Sequence, residues 1–72
     1  MKKIKKIKIK INGKAKVIND NTKLLDFLKI LNIPIKKVAI ELNEEIVDKI
    51  KLNKIKLKAY DKVEVVHFIG GG

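Results

Sequence analysis

The sequence predicts an α+β fold in which one main helix packs across one face of a mixed sheet of four to five strands. Three observations lead to this prediction. Isoleucine and lysine alternate around an Asn-Gly pair near the start, a leucine-rich segment with helical spacing follows, and further alternating segments come after it. A hairpin, one helix and then more strands is an order typical of α+β domains. The 72 residues are enough for one domain.

The first two strands are predicted to form a β-hairpin. Apolar residues alternate with lysines along residues 7–11, and the Asn-Gly pair that follows is a hairpin signal. A two-residue loop would set lysines opposite the isoleucines. We therefore expect a three-residue loop with a bulge, in which Gly13 takes a positive φ and Ile9 pairs with Ala15 or Val17.

The main helix is predicted over the segment that contains Leu24 and Phe27. Three leucines at helical spacing share one face of this segment. Asn21 or Thr22 is expected to cap the first turn, since either side chain can accept a hydrogen bond from the free N–H groups. The helix is expected to end near Asn32, because the residue before a proline is biased away from helical geometry.

Two further strands and a turn are predicted after the helix. Residues 38–42 alternate between apolar and polar side chains, residues 43–45 are rich in turn formers, and residues 46–48 form a short strand. The segment 49–60 allows either a strand or an irregular connector, and the sequence leaves this open.

The last predicted strand divides its side chains between two faces. Val63 and Val65 share one face, and Val66 and Phe68 share the other. If the first pair packs under the helix, the second pair is available as an exposed docking patch; the alternative is that the connector covers it. Apolar strands at both ends of the chain could pair at the centre of the sheet, which is the β-grasp arrangement.

The composition limits the possible functions. There is no cysteine and only one histidine, so thiol chemistry and a cysteine-based metal site are excluded, and no metal is expected. No apolar run is long enough to span a membrane, and a cytoplasmic protein is expected. The sequence offers no nucleophile–base set and no phosphate-binding loop, so we do not expect an enzyme.

The net charge of +10 comes entirely from lysine, with 18 lysines and no arginine. A nucleic-acid-binding module is one interpretation, and a solvated lysine coat is the other. Specific nucleic-acid readers depend heavily on arginine, and aromatic residues for base stacking are scarce here. The composition therefore favours the lysine coat, and nucleic acid is not the expected partner.

Two stretches of the second half resemble a known family. "VAIELNEEIVDK" and "AYDKVEVVHFIGGG" are similar in residues and spacing to the thiamin-biosynthesis sulfur carriers of the ThiS family, which are ubiquitin-like β-grasp proteins related to the molybdopterin synthase small subunit MoaD. The resemblance covers residues 38–72, and the first half fits more loosely. Glu44 and Tyr60 stand where the family often has glycine, so both turns are expected to require a positive φ.

The resemblance implies a specific chemistry at the end of the chain. The carboxylate of Gly72 would be adenylated with ATP by a ThiF/E1-like enzyme and converted to a thiocarboxylate with sulfur from a persulfide donor. A sulfur-acceptor enzyme such as thiazole synthase would then use it. Gly70 and Gly71, which lack side chains, would pass through a narrow enzyme channel, and Ile69, Phe68 and Val66 would contact the partner.

The resemblance also implies a domain organisation and leaves alternatives. Residues 1–72 would form one β-grasp domain, with residues 1–6 as a basic extension or early strand and residues 69–72 as a flexible tail. The protein would bind no cofactor itself. The same terminal chemistry could serve molybdopterin synthesis, tRNA thiolation or conjugation to proteins, and the sequence does not separate these acceptors.

Overall fold

The computed structural model describes residues 5–68. The predicted tail at residues 69–72 and most of the predicted N-terminal extension lie outside the described residues. Lys6 is the first residue of the first strand. The elements in chain order are strand β1 (Lys6–Ile11), strand β2 (Lys14–Asn19), helix α1 (Leu24–Ile30), strand β3 (Val38–Leu42), strand β4 (Glu45–Ile46) and strand β5 (Lys62–His67), with short 3₁₀ turns at Ile35–Lys37 and Lys49–Lys51.

The strands form one mixed five-stranded sheet in the order β2-β1-β5-β3-β4. The first and last strands, β1 and β5, pair in parallel near the centre, and all other neighbouring pairs are antiparallel. The prediction of a mixed sheet with one main helix is therefore confirmed. The pairing of the two terminal strands is the β-grasp arrangement.

The first hairpin has a different register from the predicted one. Asn12 and Gly13 form a two-residue loop with φ values of 49° and 82°, the signature of a type I′ turn. Ile9 therefore pairs with Lys16, and Val17 lies on the face away from the helix. The prediction of a three-residue loop with a bulge was wrong, because β2 is an edge strand. There, a lysine opposite an isoleucine can extend into solvent at little cost.

The N-terminus of α1 is capped by backbone rather than by a side chain. Neither Asn21 nor Thr22 caps it, so that prediction was wrong. Instead, the N–H of Leu24 donates to the carbonyl of Ile55 at 2.8 Å, and the next N–H donates to the carbonyl of Leu52 at 3.1 Å. The connector before β5 thus satisfies donors that would otherwise need a side-chain cap.

The C-terminus of α1 confirms the predicted end of the helix. Asn32 takes the left-handed conformation with φ of 58° just after the last turn. Its N–H donates to the carbonyl of Lys29, and the N–H of Ile33 donates to the carbonyl of Leu28, both at 3.0 Å. This is a Schellman motif, which turns the chain toward β3.

The core lies between α1 and the sheet face that carries Val63 and Val65. The segment 49–60 is a connector with a 3₁₀ turn and not a strand, yet its Leu52 and Leu57 are both 1% exposed. Those leucines close the core beside the helix. The buried hydrophobic residues are Ile9, Leu24, Phe27, Leu28, Val38, Ile40, Leu52, Leu57, Val63 and Val65. Over residues 5–68, no helix has the length and apolar character to cross a membrane.

Candidate docking site at the end of the last strand

Strand β5 is held on both sides up to the last described residue. On the β1 side, the N–H of Val65 donates to the side-chain Oδ1 of Asn12 at 2.8 Å, at the point where β1 has already turned into the hairpin. On the β3 side, the N–H of Phe68 donates to the carbonyl of Lys37 at 3.0 Å. The chain therefore has a fixed position and direction where it leaves the sheet toward residues 69–72.

The start of β5 is fixed by Asn43 and Asp61. Asn43 Oδ1 accepts a hydrogen bond from the N–H of Lys62 at 2.9 Å, and its Nδ2 donates to Asp61 Oδ1 at 3.0 Å. Asp61 Oδ2 accepts from the N–H of Lys58 at 2.8 Å, which closes the turn before the strand. Asp61 therefore links the turn before β5 to the loop between β3 and β4.

Two turns near the start of β5 carry backbone strain. Glu44 has φ of 72° and Tyr60 has φ of 69°, as expected from their positions. A left-handed conformation costs a non-glycine residue about 1–2 kcal/mol. Glu44 also makes a salt bridge to Lys62, with Oε1 and Nζ 3.4 Å apart, but both side chains are exposed, so the pair adds little stability.

Val66 and Phe68 lie on the sheet face that α1 does not cover. Their exposed fractions are 51% and 59%, so the connector leaves them accessible to solvent. Ala39 pairs with Val66 in the sheet, and Ile46, on the neighbouring strand β4, is 78% exposed. Together Ala39, Val66 and Phe68 form an apolar surface, here called the β5 patch, that ends at the last described residue. The paired Glu41 and Glu64 adjoin it on the same face, and Ile46 lies beyond Glu41.

Lysine side chains border the β5 patch. Lys49 Nζ lies 5.2 Å from the centre of the Phe68 ring, which is a cation–π contact. Lys37, whose carbonyl binds the backbone of Phe68, is also exposed. A partner that covers this patch would therefore meet an apolar centre with positive charge at one margin.

The predicted site residues divide into two groups. Val66 and Phe68 are adjacent on one exposed face and stand at the exit of the tail. Ile69, Gly70, Gly71 and Gly72 lie outside the described residues. Within residues 5–68, no group of three or more histidine, aspartate or glutamate side chains is placed to hold a metal ion.

Sequence reasoning did not find Asn12 and Asn43 as residues that position β5. Each is the first residue of a two-residue hairpin loop, with φ of 49° and 51°. Asparagine is favoured at such positions because it tolerates a positive φ. That signal was present in the sequence, but the contacts to β5 depend on the order of strands in the sheet.

A small β-grasp domain with a fixed last strand, an apolar patch beside it and a glycine-rich end is the form of a ubiquitin-like carrier. The ThiS family model matches residues 7–72, and the chain belongs to this family of small sulfur carriers. A curated relative, the sulfur carrier protein ThiS of Bacillus subtilis, is 35% identical over 65 residues, covering 89% of this chain and 98% of the relative.

Two further comparisons agree with this assignment. The crystal structure of the thiamine biosynthesis protein ThiS from Geobacter metallireducens superposes with a TM-score of 0.82 at 26% identity, covering 92% of this chain and all of that one. A thiazole synthase of Magnetococcus marinus is 38% identical over 66 residues. The match covers 92% of this chain but only 20% of the synthase, so the chain spans about a fifth of that relative.

Proposed function

We propose that this chain carries sulfur as a thiocarboxylate on Gly72 and delivers it to a thiazole synthase in the cytoplasm. Membership of the ThiS family, together with the exposed β5 patch at the exit of the tail, supports this proposal most directly. The chain acts as a protein cosubstrate in this scheme. Its folded part supplies recognition, and its last carboxylate is the reacting group.

The proposed chemistry proceeds in two stages on a partner enzyme. The Gly72 carboxylate attacks the α-phosphorus of ATP, which releases pyrophosphate and forms an acyl-adenylate. The terminal sulfur of a persulfide then displaces AMP, and reduction of the resulting acyl disulfide by a second thiol leaves the thiocarboxylate. The chain itself has no cysteine, so the sulfur and both thiols come from partners.

The β5 patch would supply the affinity for the activating enzyme. Val66 and Phe68 together with Ile69 would dock against an apolar surface of a ThiF/E1-like partner, while Gly70 and Gly71 pass into its channel. Glycine allows this because a backbone without β-carbons can approach enzyme atoms closely. Burial of the patch offsets the entropy that the tail loses when it becomes ordered.

Thiazole synthase is the acceptor that the relatives favour. In the Magnetococcus marinus protein, the segment similar to this chain is a fifth of a longer chain named thiazole synthase. A second thiazole synthase, from Paramagnetospirillum magneticum, shows the same partial match at 36% identity. Carrier-like and synthase segments that share one polypeptide would act on each other, and this favours thiamin over the alternative acceptors.

Intact-mass spectrometry tests the proposal. The chain is incubated with ATP, a ThiF/E1-like enzyme and a persulfide source, and an oxygen-to-sulfur exchange is the expected mass change. A variant lacking Gly71 and Gly72 should show no exchange while its circular dichroism stays unchanged. The Bacillus subtilis carrier serves as the positive control. The proposal fails if that control gains sulfur and this chain does not, or if the truncated variant gains it equally.

A further inference from the structure

A second surface lies at the β2 edge of the sheet, separate from the β5 patch. The two residues that flank the Asn-Gly loop form a hydrogen-bonded pair, and such pairs recur at every second position of an antiparallel ladder. The N–H and C=O groups of Ala15 and Val17 therefore point away from β1. The bond from the N–H of Asp20 to the carbonyl of Lys5, at 2.8 Å, continues the same alternation.

An apolar groove of about 230 Å³ runs beside this free edge, between β2 and α1. Phe27 is 1% exposed and belongs to the core, Ile18 is half-buried, and Val17 and Ile30 are 58% and 70% exposed. The groove thus joins the core to the exposed side chain of Ile30. Val17 lines it at the edge of the sheet, and the strand register places its side chain on the face away from the helix. Its lining is completed by Lys6, Lys16, Asn19 and Thr22.

The charge around the groove selects the kind of occupant. Lys6 and Lys16 line it, and among residues 5–68 the single salt bridge joins Glu44 to Lys62, so neither lysine has an acidic partner. A second copy of this chain would bring another net charge of +10 to the same edge. Lysines on an edge strand oppose that kind of self-pairing. An acidic segment would instead be attracted.

We propose that the β2 edge and this groove bind an extended segment of a partner protein in which apolar residues are flanked by acidic ones. The segment adds a strand beside β2, exchanging hydrogen bonds with the free groups of Ala15 and Val17. Alternate side chains of the added strand enter the groove toward Phe27. Its carboxylates lie beside Lys6 and Lys16. This surface lies on a different strand from the β5 patch, so a segment bound here leaves the proposed path of the tail free.

A fluorescein-labelled synthetic peptide with a short valine–isoleucine core flanked by glutamates tests the inference, using the full chain and fluorescence anisotropy. Binding that weakens with salt is expected. The same peptide with lysines in place of the glutamates should bind at least about tenfold more weakly. A version methylated on alternate backbone nitrogens, which blocks strand pairing, should also lose binding.

Variants of the protein distinguish strand pairing at the β2 edge from nonspecific binding of the peptide. Val17→Pro removes an N–H that faces away from β1, so the hairpin ladder stays intact, and proline is tolerated on edge strands. It should weaken binding about tenfold, because pairing groups are lost and the ring blocks the edge. Val17→Thr keeps the N–H and the β-branched shape, and should bind within about twofold of the original chain.

A matched pair of charge variants tests the role of the lysines. Lys16→Glu should weaken binding about three- to tenfold, and Lys36→Glu, which makes the same charge change beside the far strand β3, should have less than about a twofold effect. Equal effects of the two variants would overturn the assigned role of the groove lysines. Absence of peptide binding, or equal binding by Val17→Pro, would overturn the inference as a whole.

Analytical sedimentation of the chain alone tests whether a second copy of this chain binds at the β2 edge. A monomer at all concentrations is expected from the charge at the edge. A dimer that Val17→Pro abolishes would show that a second copy occupies the edge, and the inference would be wrong.

In an NMR titration of the chain with the acidic peptide, backbone amide shifts should change along β2 and the facing side of α1. Changes confined to the β5 patch would also contradict the inference.

Discussion

Replacing Asn12 by glycine is expected to lower the free energy of unfolding by about 1–2 kcal/mol. The Oδ1 of Asn12 accepts a hydrogen bond from the half-buried N–H of Val65 at 2.8 Å. β1 has turned away at this point, so the asparagine side chain replaces the next backbone acceptor of the strand ladder. Glycine preserves the positive φ of the turn but leaves this N–H without its acceptor.

The magnitude follows from two contributions that have the same sign. The lost hydrogen bond contributes about 0.5–1.5 kcal/mol net, and leaving a partly buried donor unsatisfied can raise the cost to about 1–3 kcal/mol. The turn itself changes little, because glycine accepts φ of 49° at least as well as asparagine. For a domain of this size, each 1 kcal/mol lowers the melting temperature by about 4–8 °C.

Asn32→Gly provides the matched control. Asn32 has φ of 58° at the end of α1, and its part in the Schellman motif uses its backbone N–H, which glycine retains. This variant should change the stability by less than about 0.5 kcal/mol. Thermal and urea unfolding, followed by circular dichroism, measure both. Equal stabilities of the two variants, or unchanged hydrogen exchange at Val65 in Asn12→Gly, would refute the reasoning.

Five other variants test three different parts of the structure. Tyr60→Gly should raise stability by about 0.5–1 kcal/mol in urea unfolding, because it relieves φ of 69° at an exposed side chain, whereas Tyr60→Ala should not. Leu52→Ala should lower the free energy of unfolding by about 2–5 kcal/mol in the same assay, because this connector side chain is 1% exposed. A loss as small as that of an exposed residue would contradict its place in the core. Phe68→Ala and Val66→Ala should change stability by less than about 1 kcal/mol. Both should slow thiocarboxylate formation at limiting activating enzyme, and unchanged rates would exclude the β5 patch from docking.

The sequence predicted those elements that depend on one dominant local pattern. The alternation around β3 and β5 and the leucine spacing of α1 each have a single period, and their faces lie as expected. The end of α1 followed from the proline rule. The left-handed conformation of Asn32, with φ of 58°, was not predicted. In the candidate site, the exposure of Val66 and Phe68 follows from the burial of Val63 and Val65 on the opposite face.

The helix cap and the hairpin register were predicted wrongly, because both depend on the fold rather than on residues nearby in the sequence. The cap of α1 comes from the carbonyls of Ile55 and Leu52, which lie about thirty residues along the chain and only meet the helix in the fold. The hairpin register was predicted from side-chain matching, but among residues 5–68 β2 is the outermost strand on its side of the sheet. Lys16 on such an edge incurs little desolvation, so the preferred twist of the Asn-Gly turn decides the register.

The two asparagine turns explain how so small a chain presents its last strand. Asn12 begins the loop between β1 and β2, and Asn43 begins the loop between β3 and β4, so the two loops flank β5 from its neighbours on either side. Each Oδ1 accepts a backbone N–H of β5, from Val65 and from Lys62 respectively. Glycine in either loop would supply the positive φ without the hydrogen bond. Asparagine therefore links the geometry of both turns to the position of β5, and through Phe68 to the direction in which the proposed carrier tail leaves the fold.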